Sequence, residues 1–183
     1  SSLYLPDQQL YLALLLTDAV ILILDSLMWM SDGQTGSTVS LTYPIVSGCY
    51  YILNPLICVL WNYYVDYYIH KSQSHLRKFA IPLMLPALIN VVLVIMNTSA
   101  NILFYIDENN VYHRGPYFPV MVGISFLLCA YSAVYVLINR KRLPSKEFGT
   151  LLIFPLLPIL GAVIQSLHYG LSLIWACVTF SLL

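Results

Sequence analysis

Apolar residues run along this chain in six long blocks separated by short polar breaks. The first block covers about residues 9–30 and ends at the turn-prone Ser31-Asp32-Gly33-Gln34-Thr35-Gly36. The second covers about 41–66, entered through Pro44, which the pattern places in the first helical turn, where its missing N–H is tolerated. The third, fourth and fifth cover about 79–96, 119–139 and 148–168, with a loop of some twenty residues between the third and fourth. A bilayer core about 30 Å thick takes roughly 20 apolar residues of helix, so these blocks predict membrane spans. The sixth block runs from 171 to 183. Its helix would rise only about 20 Å, so it is expected to continue past Leu183, and the absent initiator methionine places more chain before Ser1. The predicted architecture is all-α: a polytopic transmembrane helical bundle, one domain over residues 1–183, with six helices.

Charge fixes the expected orientation. Lys71, Arg77 and Lys78 lie in one loop, Arg140, Lys141, Arg142 and Lys146 in another, and only Arg114 falls elsewhere. Cytoplasmic loops retain Lys and Arg because positive charge resists translocation. Both clusters are therefore expected inside, residue 1 inside, and Asp32, the 97–118 loop and His168-Tyr169-Gly170 outside. Trp61, Tyr63, Tyr64, Tyr67 and Tyr68 crowd the inner end of span two, and Tyr105, Tyr112, Tyr117 and Phe118 gather outside, as headgroup-level rings do.

Composition agrees. Hydrophobic residues make up 60% and charged residues 9% of the chain, against roughly 25% charged in a soluble domain; mean hydropathy is +0.79. Net charge is zero, which leaves no electrostatic case for nucleic acid; the lipid bilayer is the expected surrounding. No internal repeat relates the halves, and span one is too long and wrongly flanked for a signal peptide. Cys49, Cys58, Cys129 and Cys177 lie in apolar blocks without CxxC spacing and read as packing residues. The histidines at 70, 75, 113 and 168 show no HxxxH or HExxH spacing, so no metal or cofactor is expected. His70 and His75 read as solvated or headgroup-contacting. Asn97-Thr98-Ser99 matches a glycosylation sequon, a weak signal at three residues.

Polar residues at membrane depth carry the functional question. Asp18 and Asp25 sit about two turns apart on one face of span one, with Trp29 a turn further on. A carboxylate there is costly unless protonated, paired or wet, and no span contains Lys or Arg. Asn54 precedes Pro55, which frees a backbone carbonyl and should kink span two. Tyr131 and Tyr135 lie in span four; Pro155 and Pro158 loosen span five. By depth, Asp25, Trp29, Asn90, Gln165 and His168 converge in the outer half, with Trp175 deeper. Two readings stand: a polar pocket open to the outside, or interhelical hydrogen bonds that hold the bundle together.

The loop Phe104-Tyr105-Ile106-Asp107-Glu108-Asn109-Asn110-Val111-Tyr112-His113-Arg114-Gly115-Pro116 resembles the hallmark loop in the N-terminal membrane region of bacterial GGDEF diguanylate cyclases. That region is related to the seven-transmembrane sensor module of histidine kinases. Leu24-Asp25-Ser26-Leu27-Met28-Trp29 with Asp32-Gly33 resembles the same family, as do Leu53-Asn54-Pro55-Leu56 with Trp61 and Asp66. Pro155 through Pro158 to Gln165, and Tyr169-Gly170-Leu171-Ser172-Leu173-Ile174-Trp175, complete the set. The resemblance implies a seven-helix module in the bacterial inner membrane, a homodimer, and a last helix leading to a cytoplasmic domain that condenses two GTP into cyclic di-GMP. No GGDEF signature occurs in these residues, so no enzyme activity is expected of this chain alone.

The implied role is sensory: an unidentified small molecule or membrane signal shifts the bundle between two packings. Asp25, Trp29, Asn90, Gln165, His168 and Trp175 are the candidate ligand-binding residues, with Arg114 attracting an anionic ligand outside. Asp18, Asn54 and Tyr131 are the further intramembrane polar positions. Three other classes compete. A small transporter or channel would use Asp18 and Asp25 as a proton or cation relay, an intramembrane enzyme lacks a visible nucleophile–base pair, and a passive anchor would carry no signal.

Overall fold

The computed structural model describes residues 6–167 and 174–182, apart from the side chains of 162, 163 and 165–167. The six expected blocks are helical over their described residues: α1 (Pro6–Ser31), α2 (Ser37–His70), α3 (Gln73–Ala100), α4 (Phe118–Ile138), α5 (Ser145–Leu167) and α6 (Ile174–Leu182). Four of them, α1 to α4, are long and apolar enough to cross a membrane. Their outward faces carry Leu16, Ile23, Leu41, Ile81, Leu127 and Ile138, all largely exposed. Such faces suit lipid, since in water they would form a continuous sticky surface.

Each helix packs on the next in chain order, and α6 returns to α1, closing a ring in which α2 also reaches α4. The main core gathers Leu14 and Ile21 of α1, Ile57 and Trp61 of α2, Leu128 of α4, Phe154 of α5 and Trp175 of α6. Trp61 and Phe154 stack at 3.9 Å between centroids. A second cluster, Tyr51, Val94, Leu103, Phe104 and Met121, sits beneath the α3–α4 connection.

That connection carries a short hairpin within the otherwise all-α fold. Phe104–Ile106 (β1) and Tyr112–Arg114 (β2) form an antiparallel hairpin with Tyr105 opposite His113. Asp107 builds the turn, its Oδ1 accepting from the amides of Asn109 and Val111, both at 2.9 Å, while Asn110 takes a left-handed φ of 57°. Asn97, of the sequon, is buried and holds the loop: its amide donates to the Phe104 carbonyl and its Oδ1 accepts from the Leu103 and Phe104 amides. At Gly115 a Cβ would collide with the Ile102 carbonyl, so only glycine lets the strand leave the hairpin there.

Pro44 lies inside α2 rather than in its first turn, because the helix begins seven residues earlier, after Gly36. Pro55 leaves the Tyr51 carbonyl without its helical donor; Asn90 of α3 supplies one, Nδ2 to O at 2.8 Å. At the opposite end, Lys71 ends α2 in a left-handed turn (φ 49°) and Ser72 caps α3 by accepting from the His75 amide. The two basic clusters lie at this same end, since Asp66 of α2 bonds both His75 of α3 and Tyr135 of α4.

Candidate functional site

The hairpin end is a polar clamp over the bundle. Asp32, in the α1–α2 turn, accepts from the Tyr112 amide at 2.9 Å and from the Tyr43 hydroxyl at 3.1 Å. The Gly33 amide donates to the Asn110 carbonyl and the Asn110 side chain donates to the Gln34 carbonyl. From there contacts run inward. The Tyr112 and Tyr51 hydroxyls share a hydrogen bond, and burial pushes the Tyr112 phenol above its ordinary pKa. Tyr51 packs edge-on against Tyr50 at 5.0 Å, and the Tyr50 hydroxyl accepts from Trp175 Nε1 of α6. The same hydroxyl interacts with the Asp25 carboxylate and the Asn54 side chain.

Of the residues singled out in the sequence, Asp25, Asn54 and Trp175 thus meet, around a tyrosine the sequence did not single out. Asn90 of α3 meets α2 one residue on from that point, fully buried on the Tyr51 carbonyl. Trp29 does not join them; it is 57% exposed on α1. Arg114 is exposed, its guanidinium over the Phe118 ring at 4.8 Å. His168 and the Gln165 side chain lie outside the described residues.

Asp18 is buried deeper, 4% exposed, and its Oδ2 accepts from Thr179 of α6 at 2.9 Å. About two turns below it, the Tyr11 hydroxyl donates to the Leu182 carbonyl. Helix α6 is therefore tied to α1 and α2 by three polar contacts along its length. Tyr131 is partly exposed and stacks on Tyr135. It borders an apolar groove of about 450 Å³ between α3 and α4, with Phe79, Pro82, Pro86, Ile124 and Leu127. A smaller groove of about 160 Å³ lies between Ile52 and Leu56 of α2 and Met84 and Leu88 of α3. Neither borders Asp18, Asp25 or Trp175.

The basic end holds a cluster that sequence spacing did not reveal. Asp66 is buried; His75 Nδ1 stands 2.9 and 3.1 Å from its two oxygens, and the Tyr135 hydroxyl donates to Oδ1 at 2.6 Å. His70 Nδ1 lies 3.5 Å from Oδ1, and the two imidazoles stack at 3.8 Å. The expectation that both histidines are solvated or contact headgroups gives way here, because the tight turn at 71–72 folds His75 back over His70. Asp66 and His70, four apart, were legible as one helical face; the fold-back was not.

Compared with family models, with curated proteins and with solved structures, the chain matches none.

Proposed function

We propose that this chain is a sensory region of the bacterial inner membrane. It crosses the bilayer six times with both basic loops in the cytoplasm, and regulates a cytoplasmic diguanylate cyclase domain as a homodimer. The observation that carries this reading is the contact chain from the hairpin through Tyr112, Tyr51 and Tyr50 to Trp175 on α6. Several of the segments that resemble the cyclase-associated membrane region meet along these contacts: Asp25, Asp32-Gly33, Asn54-Pro55, the 104–116 loop and Trp175. An extracytoplasmic ligand, drawn by Arg114 if anionic, would act by binding one packing of the bundle better than another. The hairpin clamp would then reset the Tyr50–Trp175 contact and shift α6 against its twin.

The transporter alternative lacks comparable support, since the two apolar grooves do not border Asp18 or Asp25. The test is cellular cyclic di-GMP in a bacterial host carrying the complete gene, wild type against Tyr50→Phe and Trp175→Phe. Both variants should insert normally in membrane fractions and change cyclic di-GMP severalfold. Normal insertion with unchanged cyclic di-GMP in both would overturn the reading.

A further inference from the structure

We propose that Asp66, His70 and His75 form a binding site for one divalent transition-metal ion of the zinc class, at the turn between α2 and α3. The site follows from local structure. Asp66 and His70 share a face on the last two turns of α2, the left-handed Lys71 reverses the chain, and the Ser72 cap sets His75 in the first turn of α3. One oxygen of Asp66 and one nitrogen of each histidine lie within 4.8 Å of one another.

Metal–ligand bonds of about 2.0–2.2 Å put tetrahedral ligand atoms about 3.3–3.6 Å apart. The Asp66–His70 separation of 3.5 Å lies in that range, and the Asp66–His75 separation of 2.9 Å would lengthen by a few tenths of an ångström to reach it. The two imidazole nitrogens, within 4.8 Å of each other, would close to that spacing by rotation about their side-chain bonds. Tyr135 already orients the carboxylate through its hydroxyl, the kind of supporting bond that metal ligands use.

Electrostatics point the same way. The Asp66 side chain is 3% exposed, and among the described residues no lysine or arginine pairs with it. Lys71, the nearest in sequence, instead pairs with Asp7 at 3.4 Å and lies over the Tyr68 ring at 4.2 Å. Hydrogen bonds hold the cluster as it stands: His75 Nδ1 reaches the carboxylate, Tyr135 donates to Oδ1, and His70 Nδ1 lies 3.2 Å from the Asp66 backbone carbonyl and 3.5 Å from Oδ1, so that a bound cation would take the place of the imidazole contacts. Imidazole and carboxylate donors suit zinc and neighbouring first-row ions over magnesium or calcium. Three protein ligands leave a coordination position for water or a small ligand. Occupancy would staple the end of α2 to the start of α3.

The test uses the full chain without a histidine tag, in nanodiscs, stripped with chelator and titrated with zinc chloride by calorimetry. Wild type should bind one ion per chain with micromolar or tighter affinity, and zinc should raise its unfolding midpoint. His70→Asn/His75→Asn should lose at least a hundredfold in affinity, while His113→Gln retains wild-type binding. The single variant His75→Gln, with helicity checked by circular dichroism, serves if the double variant does not fold. Binding that survives loss of these histidines, or no stoichiometric binding by wild type, overturns the proposal. Magnesium in place of zinc should give no such midpoint shift; an equal shift would also overturn it. None of these readouts depends on cyclic di-GMP.

Discussion

At Pro55 the chain trades a helical hydrogen bond for one between helices. The Tyr51 carbonyl, left without a backbone donor, is met by Asn90, which is wholly buried. Asn90→Ala would strand that carbonyl. Interhelical hydrogen bonds in membranes average only about 0.6 kcal/mol, because the separated helices find other partners. The proline gap persists in the separated helix, so the Tyr51 carbonyl has few alternatives and a loss of about 1 kcal/mol is expected. Unfolding in mixed micelles by increasing dodecyl sulfate should therefore show a lower midpoint for Asn90→Ala. Adding Pro55→Ala restores a backbone donor to Tyr51 and should recover part of the loss. If Pro55→Ala costs as much on top of Asn90→Ala as it does in the wild type, the two residues do not serve the same carbonyl.

Among the elements, the hairpin is where pH should be felt. The His113 imidazole, 3.0 Å from Oδ2, and then the Val111 amide hold the Asp107 carboxyl below its ordinary pKa. A carboxyl depressed in the folded turn adds stability above its unfolded value of 3.8, and that contribution is lost as pH falls through the lowered value. Amide protection at Asn109 and Val111, after correction for intrinsic rates, should thus loosen below about pH 4. Asp107→Asn should remove that acid step and weaken protection throughout. Persistence of the step in the variant would assign it to another carboxylate.

The hairpin also shows where sequence reading reached its limit. Six apolar blocks marked out the helices, some of which extend several residues beyond them, because membrane insertion depends on length and hydropathy. Three-residue strands leave too little alternation to read against a polar loop, though Asp107 to Asn110 is a turn-forming run. The need of Asp18 and Asp25 for partners was legible from cost alone. Their partners were not, since Thr179 and Tyr50 are ordinary residues in apolar runs, and only packing brings them near. The same holds for His70 and His75, five apart in sequence and face to face in space.

For the whole molecule, the decisive property is orientation. The two basic clusters share one end, tied through Asp66, His75 and Tyr135, and the hairpin with the α1–α2 turn forms the other. Seven Lys and Arg against the single Arg114 is a strong imbalance, and retention of positive loops predicts that the basic end stays in the cytoplasm. Alkaline phosphatase, active only outside the inner membrane, should therefore be active when fused after Asn109 and inactive after Ser74 or Leu143. A fluorescent protein fused at the same sites should give the opposite pattern. That orientation would put the hairpin clamp where an external ligand can reach it and the His70–His75 cluster where cytoplasmic zinc can. The inverted pattern would place the hairpin inside and leave the contact chain to Trp175 with no external signal to carry, whereas the metal site would stand, facing the other compartment.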